Sequence, residues 1–95
     1  MSEAMSPNEV RGALADLPAW SLENGKLHRE VKFRDFAEAL AFLVRVGIEA
    51  EKLGHHPELG NVYSRVTIDL TSHDAGGVTD KDVSLAKAID GVMDR

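Results

Sequence analysis

The dipeptide Asn24-Gly25 is the feature that most constrains how this chain can fold. It separates two runs of residues typical of β-strands, 20–23 and 26–33. Asn and Gly both tolerate the positive φ that a type I′ turn needs, so the pair predicts a β-hairpin. Alternation along the second strand predicts one buried and one polar face. The buried positions are Leu27, Val31 and Phe33, with Arg29 as an exception, and the polar positions are His28, Glu30 and Lys32.

A second hairpin is predicted further along the chain. Val66, Ile68 and Leu70 alternate with polar residues and predict a strand over 65–71. Residues 58–62 form a shorter candidate strand, which Gly60 weakens because glycine is unfavourable inside a strand.

The register of this second hairpin would bring three histidines together. A two-residue loop at Ser64-Arg65 sets a register that, continued outward, places His56 opposite His73. Opposed residues of an antiparallel pair lie about 4.5–5.5 Å apart at Cβ. We therefore predict that the pair His55-His56 and the distant His73 lie at the same end of the sheet, within reach of one small molecule.

Three capping patterns predict the starts of three helices. In each, a Ser, Asp or Thr is followed three residues later by an acidic residue, at 6–9, 35–38 and 79–82. Pro18 closes the first helix at about residue 16 or 17, and Gly54 ends the second after about Leu53. The order α-β-β-α-β-β-α predicts an α+β fold, with a four-stranded antiparallel sheet and three helices packed on one face.

The second helix is apolar over more of its surface than one sheet contact needs. A continuous stripe predicts the core-facing side, and two further residues widen it, which suggests contact with another subunit. The stripe is Phe36, Leu40, Leu43, Val44, Gly47 and Ile48, and the widening residues are Phe42 and Val46.

Size and composition limit the class of protein. A chain of 95 residues, 43% hydrophobic and 28% charged, predicts a single globular domain over 1–95, with 1–5 as a disordered tail and no secretory leader. The longest apolar run, 39–44, is too short to cross a membrane. The net charge of −5, with no basic cluster, argues against nucleic-acid binding. The absence of cysteine excludes disulfides and thiolate metal sites and fits a cytoplasmic location.

Histidines at one end of a sheet suit proton transfer. The free imidazole pKa of about 6.5 lets histidine give and take protons near neutral pH, as an elimination of water requires. A metal site is an alternative for His55, His56 and His73, although adjacent residues of an extended loop point in opposite directions. A purely structural role, ending the helix and filling a turn, is another. His28 is interpreted as an ordinary surface or interface residue.

The histidines belong to a longer pattern, Glu51-x3-His55-His56-Pro57-x5-Tyr63-x9-His73-x8-Asp82. This pattern resembles the signature of the pterin-4a-carbinolamine dehydratases. Similar residues recur over nearly the whole chain, at Trp20, Phe33-Arg34-Asp35-Phe36, Ala39, Phe42, Asn61-Val62-Tyr63, Gly77-Val78-Thr79 and Leu85-Ala86.

The resemblance implies an enzyme with the α+β fold described above. It would be a hydro-lyase that removes water from 4a-hydroxytetrahydrobiopterin to give quinonoid dihydrobiopterin, in tetrahydrobiopterin recycling. It would need no metal and no cofactor, and its small subunits would form homodimers or homotetramers. A non-catalytic interaction protein on the same scaffold and a dehydratase for another pterin are the alternatives.

The resemblance also implies roles for individual residues. His55 and His73 would supply acid–base catalysis at the 4a-hydroxyl, and His56 would hold the pterin and share in the proton transfer. Glu51 would orient an imidazole, or be a solvated residue of the last helical turn. Ser72 and Trp20 complete the predicted substrate-binding set, with a core or hairpin-closing position as the alternative for Trp20.

Three positions carry qualifications. Asp82 matches the pattern, but as the third residue after the Thr79 cap it has a purely structural explanation, which we favour. Gly54 stands where the family often has an acidic or polar residue, and Leu59 stands where an aromatic is frequent. Both departures bear on how tightly the pterin ring is held.

Overall fold

The computed structural model describes residues 3–94 and has the predicted order of elements. The predicted fold class is confirmed, with three helices and a four-stranded sheet whose neighbouring strands are all antiparallel in the order β1-β2-β4-β3. The elements are α1 Pro7–Ala15, β1 Ser21–Glu23, β2 Lys26–Lys32, α2 Phe36–Leu53, β3 Glu58–Val62, β4 Arg65–Leu70 and α3 Asp80–Met93.

The core lies on one face of the sheet. Val66, Ile68 and Leu70 of β4 are at most 1% exposed, as the alternation predicted. They belong to one buried cluster that also draws on all three helices and on β2. Among residues 3–94, no helix is long and apolar enough to cross a membrane.

The first hairpin forms as predicted. Asn24 and Gly25 both have positive φ, 53° and 75°, and join β1 to β2. Arg29, the charged exception on the buried face, forms an ion pair with Asp90 of α3. The same carboxylate accepts a hydrogen bond from the Trp20 indole at 2.8 Å. Arg29 is therefore tolerated beside the core because a carboxylate from the overlying helix neutralises it.

The predicted loop of the second hairpin is wrong by one residue. The two-residue loop is Tyr63-Ser64, so Glu58 pairs with Asp69 and not with Thr71. Tyr63 adopts φ = 53°, a left-handed conformation that is uncommon for a bulky residue. The loop contains no glycine or asparagine that would have predicted this conformation from the sequence. The register moves by two positions along β4. A shift of two leaves every side chain on its predicted face.

Gly60 has a steric reason to be a glycine. A Cβ at this position would lie 2.5 Å from the Thr67 Oγ1 atom of the paired strand β4. The residue that weakened the prediction of β3 is therefore the one that lets β3 approach β4 closely.

The predicted core side of α2 is wrong. The buried residues of the helix are Ala39, Phe42, Val46 and Ala50. Most of the predicted stripe is exposed on a different side of the helix, because periodicity cannot select the inner face of a helix that is apolar around most of its surface. We call this exposed row the α2 ridge, and it comprises Phe36 (47% exposed), Leu40 (42%), Val44 (64%) and Ile48 (51%).

Met5, in the segment predicted to be a tail, contacts the loop before α3. The Met5 N–H donates to the Val78 carbonyl at 2.7 Å. Met1 and Ser2 lie outside the described residues. Helix α1 ends at Ala15, with Asp16 as its C-cap, close to the predicted end.

The polar face of the sheet carries a charged cross-strand pair. His28 Nδ1 lies 2.7 Å from an oxygen of Asp69, the residue directly opposite on β4. The hydrogen bond to Asp69 raises the pKa of His28, against the smaller opposing effect of burial, and Glu23 and Glu30 add to the rise. Both carboxylates lie 3.9 Å from Nε2.

This pair predicts a pH-dependent stability. Because the pKa of His28 is higher in the folded than in the unfolded chain, its contribution is complete below about pH 6.5 and is lost as the pH rises through the folded value. We expect the wild type to lose free energy of unfolding above about pH 6.5 relative to His28→Gln. Urea denaturation at a series of pH values measures the difference. Parallel curves for the two proteins would contradict the prediction.

Candidate functional site

His55 lies at the end of α2, where a glycine turns the chain. Gly54 caps the helix with φ = 64°, and its N–H donates to Ala50 and Glu51 carbonyls. The next residue, His55, therefore leaves the helix axis and turns its ring towards the start of α3. There its Nε2 lies 2.5 Å from Oδ1 of Asp82. The His55 side chain is 14% exposed and that of Asp82 is fully buried.

Asp82 is the centre of a buried hydrogen-bond network. Its Oδ2 accepts from the Thr79 N–H and from the Ser72 hydroxyl, each at 2.9 Å. Ser72 has one hydroxyl hydrogen and donates it to Asp82, so the Thr79 hydroxyl donates in turn to Ser72 Oγ at 2.8 Å. Oδ2 thus has two donors, and a carboxylate at this position would accept the Nε2 proton of His55 at Oδ1 and leave Nδ1 as the free nitrogen of a neutral ring.

This network physically joins the two histidine segments. One oxygen of Asp82 contacts His55, after α2, and the other contacts Ser72, the neighbour of His73. The capping box that we predicted for Thr79 and Asp82 is present. The purely structural interpretation of Asp82 is nevertheless incomplete, because the same carboxylate also holds an imidazole.

His56 is held differently. Its Nε2 lies 2.5 Å from Oε1 of Glu51, in the last turn of α2. Both side chains are largely exposed, at 66% and 76%. Glu51 therefore orients an imidazole, which is one of the two interpretations given above, and the imidazole is that of His56.

His73 lies beside the start of β3. Its Nε2 is 3.2 Å from Oε2 of Glu58, and Oε1 of Glu58 is 2.7 Å from the Lys26 ammonium. Glu58 follows His56 by two residues, so His73 and the His55-His56 pair lie at the same end of the sheet. The hydrogen bond from Lys26 is the main cause that lowers the pKa of Glu58, and His73 adds to it.

The three histidines are thus near one another in the fold but are not hydrogen-bonded to each other within residues 3–94. Each is paired through Nε2 with a different carboxylate. Sequence reasoning did not single out Glu58, and it favoured a purely structural role for Asp82 without predicting its contact with His55. The signal for Asp82 was its place in the pattern. No comparable signal marks Glu58, because a glutamate at the start of an exposed strand is unremarkable.

The other two predicted site residues are buried. Ser72 is 2% exposed, and its hydroxyl is used by Asp82. Trp20 is 5% exposed, and its indole N–H donates to Asp90, far along the chain in α3. Roles of these two residues in substrate binding stay predictions.

A small cavity opens beside His55. Its volume is about 130 Å³, and it is lined by His55, Leu53, Asp80, Lys81 and Ser84. Within the described part of the chain, no group of three or more His, Asp or Glu side chains is placed to share a metal ion. The arrangement of buried carboxylate, imidazole and cavity can orient a neutral ring and move a proton at its free nitrogen.

Comparison with known proteins identifies the family. Residues 3–92 match the family described as pterin 4 alpha carbinolamine dehydratase. The chain belongs to this family. A Solibacter usitatus protein with the provisional name pterin-4-alpha-carbinolamine dehydratase is 50% identical over 92 residues, 97% of each chain. A Synechococcus protein with the same provisional name is 48% identical over 90 residues, 94% of this chain and 97% of the other.

Solved structures share the dehydratase-family fold. A structure described as a transcriptional coactivator/pterin dehydratase from Brucella melitensis has a TM-score of 0.89 and 35% identity, over 95% of this chain and 98% of the other. A pterin dehydratase-like RuBisCO assembly factor of the alpha-carboxysome has a TM-score of 0.62 and 22% identity, over 77% and 84%. The second similarity concerns the fold alone.

The buried network yields a stability prediction. Asp82→Ala removes the capping box and leaves the Ser72 hydroxyl and Thr79 N–H without their acceptor. We expect a loss of about 2–4 kcal/mol in the free energy of unfolding, measured by urea denaturation. The control is Asp74→Ala, an exposed aspartate near the same segment, which should change stability by less than about 0.5 kcal/mol. Equal losses for the two variants would show that the network contributes no special stability.

Proposed function

We propose that this protein removes water from 4a-hydroxytetrahydrobiopterin and releases quinonoid dihydrobiopterin, as a hydro-lyase in tetrahydrobiopterin recycling. The observation that carries the proposal is that all three histidines of the family pattern have a carboxylate partner at Nε2. Such pairing fixes the ring and leaves the other nitrogen free for proton transfer. The proposal includes a cytoplasmic location, which remains a prediction.

The proposed chemistry needs one acid and one base. An imidazolium gives its proton to the 4a-hydroxyl, the carbon–oxygen bond breaks, and water leaves. A neutral imidazole takes the N–H proton of the pterin, so the new double bond forms without net oxidation or reduction. We assign these two roles to His55 and His73 together. His56, held by Glu51, would bind the pterin and share in the transfer.

Ser72 and Trp20 would then act indirectly. The Ser72 hydroxyl is committed to Asp82, so we expect this residue to affect substrate binding through Asp82 and through its neighbour His73. The buried Trp20 would act through the packing of α3, because its indole donates to Asp90 near the end of that helix. Leu59, 42% exposed, offers less stacking surface than an aromatic, and we expect it to weaken the grip on the ring.

The histidine variants give the sharpest test of this activity. His55→Ala and His73→Ala should each lower the rate of carbinolamine dehydration by about 10²–10⁴-fold, because each removes one general acid–base group. His56→Ala should also slow the reaction, through substrate binding as well as proton transfer. The rate is measured from the disappearance of freshly generated carbinolamine.

His28→Ala is the matched control for these variants. It removes the fourth histidine of the chain, which lies on the polar face of the sheet with Asp69, and should leave the rate within about twofold of wild type. Wild-type rates in all three site variants would refute the proposed activity.

A non-catalytic role is the second candidate, because the Brucella structure is described as both a transcriptional coactivator and a pterin dehydratase. The exposed apolar ridge of α2 gives such a role a surface for a partner. Recovery of one stoichiometric partner, with no turnover of any pterin, would favour this candidate. Turnover of a different pterin only would favour a dehydratase with another substrate.

We further propose that the subunits form a homodimer or homotetramer. The α2 ridge supports this proposal, because four large apolar side chains on one side of a helix are costly to leave in water. Two copies of the ridge would bury each other in a symmetric helix–helix contact.

A charged substitution in the ridge tests the oligomer. Val44→Lys, at the most exposed ridge position, should lower the molar mass measured by light scattering at micromolar concentration to that of a smaller assembly. Arg45→Gln, the adjacent residue on the same helix, serves as the control and should keep the wild-type mass. A mass unchanged by Val44→Lys would exclude the ridge as the contact.

A further inference from the structure

We propose that Glu58 is a positioning residue for His73, held in place by Lys26, and that Nδ1 of His73 is the atom that exchanges a proton with the substrate. The inference rests on the proposed function, because it deepens the role of His73 in the same site. Glu58 is absent from the family pattern quoted above, and neither Glu58 nor Lys26 was among the predicted site residues.

The geometry of Glu58 is that of a bridge. One carboxylate oxygen lies 3.2 Å from Nε2 of His73, and the other lies 2.7 Å from the Lys26 ammonium. The three residues come from three places in the chain: Lys26 begins β2, Glu58 begins β3, and His73 follows β4. The strand order β1-β2-β4-β3 places β4 between the other two strands, so their residues meet at one end of the sheet.

The ammonium of Lys26 favours the ionised form of Glu58 and fixes the orientation of its carboxylate. A carboxylate that accepts from an ammonium at one oxygen keeps its charge and loses rotational freedom. Its second oxygen is then an acceptor in a defined place. His73, whose side chain is 80% exposed, would otherwise be free to rotate. Lys26 and Glu58 therefore restrict a ring that the protein core does not restrain.

The same nitrogen is used on all three histidines. Asp82 contacts Nε2 of His55, Glu51 contacts Nε2 of His56, and Glu58 contacts Nε2 of His73. A carboxylate at Nε2 holds the proton there in the neutral ring and leaves Nδ1 unprotonated. With Glu58 included, each of the three rings presents the same kind of atom for the reaction.

Substitution of Glu58 should change the free energy of unfolding little, so its effect on the site can be measured in a folded protein. Exposed ion pairs contribute little to folding stability, and the Glu58 side chain is 43% exposed. We therefore expect Glu58→Ala to fold, with a midpoint of thermal unfolding within a few degrees of wild type. A change in activity or in the state of His73 can then be assigned to the lost contact.

The first experiment measures the tautomer of His73 directly. Long-range ¹H–¹⁵N correlation spectra of the uniformly labelled full chain are recorded at about pH 8, where imidazole is neutral. The His73 signals are assigned by their loss in His73→Gln. We expect wild type to show the Nε2–H form, and Glu58→Ala to show a mixture of both tautomers. Asp74→Ala, which removes a carboxylate adjacent to His73 in sequence, should keep the wild-type form.

The second experiment measures activity in two backgrounds. Glu58→Ala should lower kcat for dehydration on the order of tenfold, less than loss of His73 itself, because it misplaces a catalytic group without removing it. Lys26→Met should cause a smaller loss of the same kind. In the His73→Ala background, Glu58→Ala should have no further effect, whereas a residue acting independently would reduce the rate again.

The outcomes separate this inference from the proposed activity. An unchanged His73 tautomer in Glu58→Ala, or an equal loss of rate in both backgrounds, would overturn the role of Glu58. If wild type dehydrates no pterin, the proposed function fails, and the spectra alone still decide whether Glu58 orients His73.

Discussion

The carboxylate of Asp82 is the interaction on which the site depends. It is fully buried, yet it is satisfied on both oxygens by groups from three parts of the chain: the end of α2, the segment after β4 and the start of α3. A buried charge is tolerated only when it is hydrogen-bonded in this way. The hydrogen-bond partners of Asp82 come from separate elements. The sheet and two helices must therefore fold correctly before Asp82 can orient His55. The catalytic histidine that we propose is thus positioned by the core itself.

The site combines one buried and two exposed pairs. His55 with Asp82 is restrained by the surrounding network, whereas His56 with Glu51 and His73 with Glu58 lie largely in water. The substrate that we propose would enter from solvent, so the side chains that meet it must be exposed, and exposed side chains are not restrained by packing. Carboxylate partners supply part of that restraint at the surface. The arrangement is consistent with one fixed imidazole and two that can adjust to the ligand.

Much of the fold followed from local patterns, and the errors have physical causes. Asn24-Gly25 and the three N-cap residues, Ser6, Asp35 and Thr79, act through backbone geometry, so they could be recognised one segment at a time. The Tyr63-Ser64 loop could not, because Tyr63 takes a conformation that its residue type disfavours and that only the pairing of the two strands imposes. The inner side of α2 was misassigned because both sides are apolar, and only the packed structure selects Phe42 over Val44. The histidines were found from the pattern, but Glu58 required the strand order.

Helix α2 also limits how this chain can change in length. A helix turns by about 100° and advances 1.5 Å with each residue. One inserted or deleted residue within α2 would therefore rotate everything after it, and would carry Gly54 and His55 out of line with Asp82. The same rotation would break the continuity of the exposed α2 ridge and of the buried row that contains Phe42 and Val46. A substitution in the helix affects only the side on which that residue lies. A change in the number of residues alters the core, the exposed ridge and the position of His55 together.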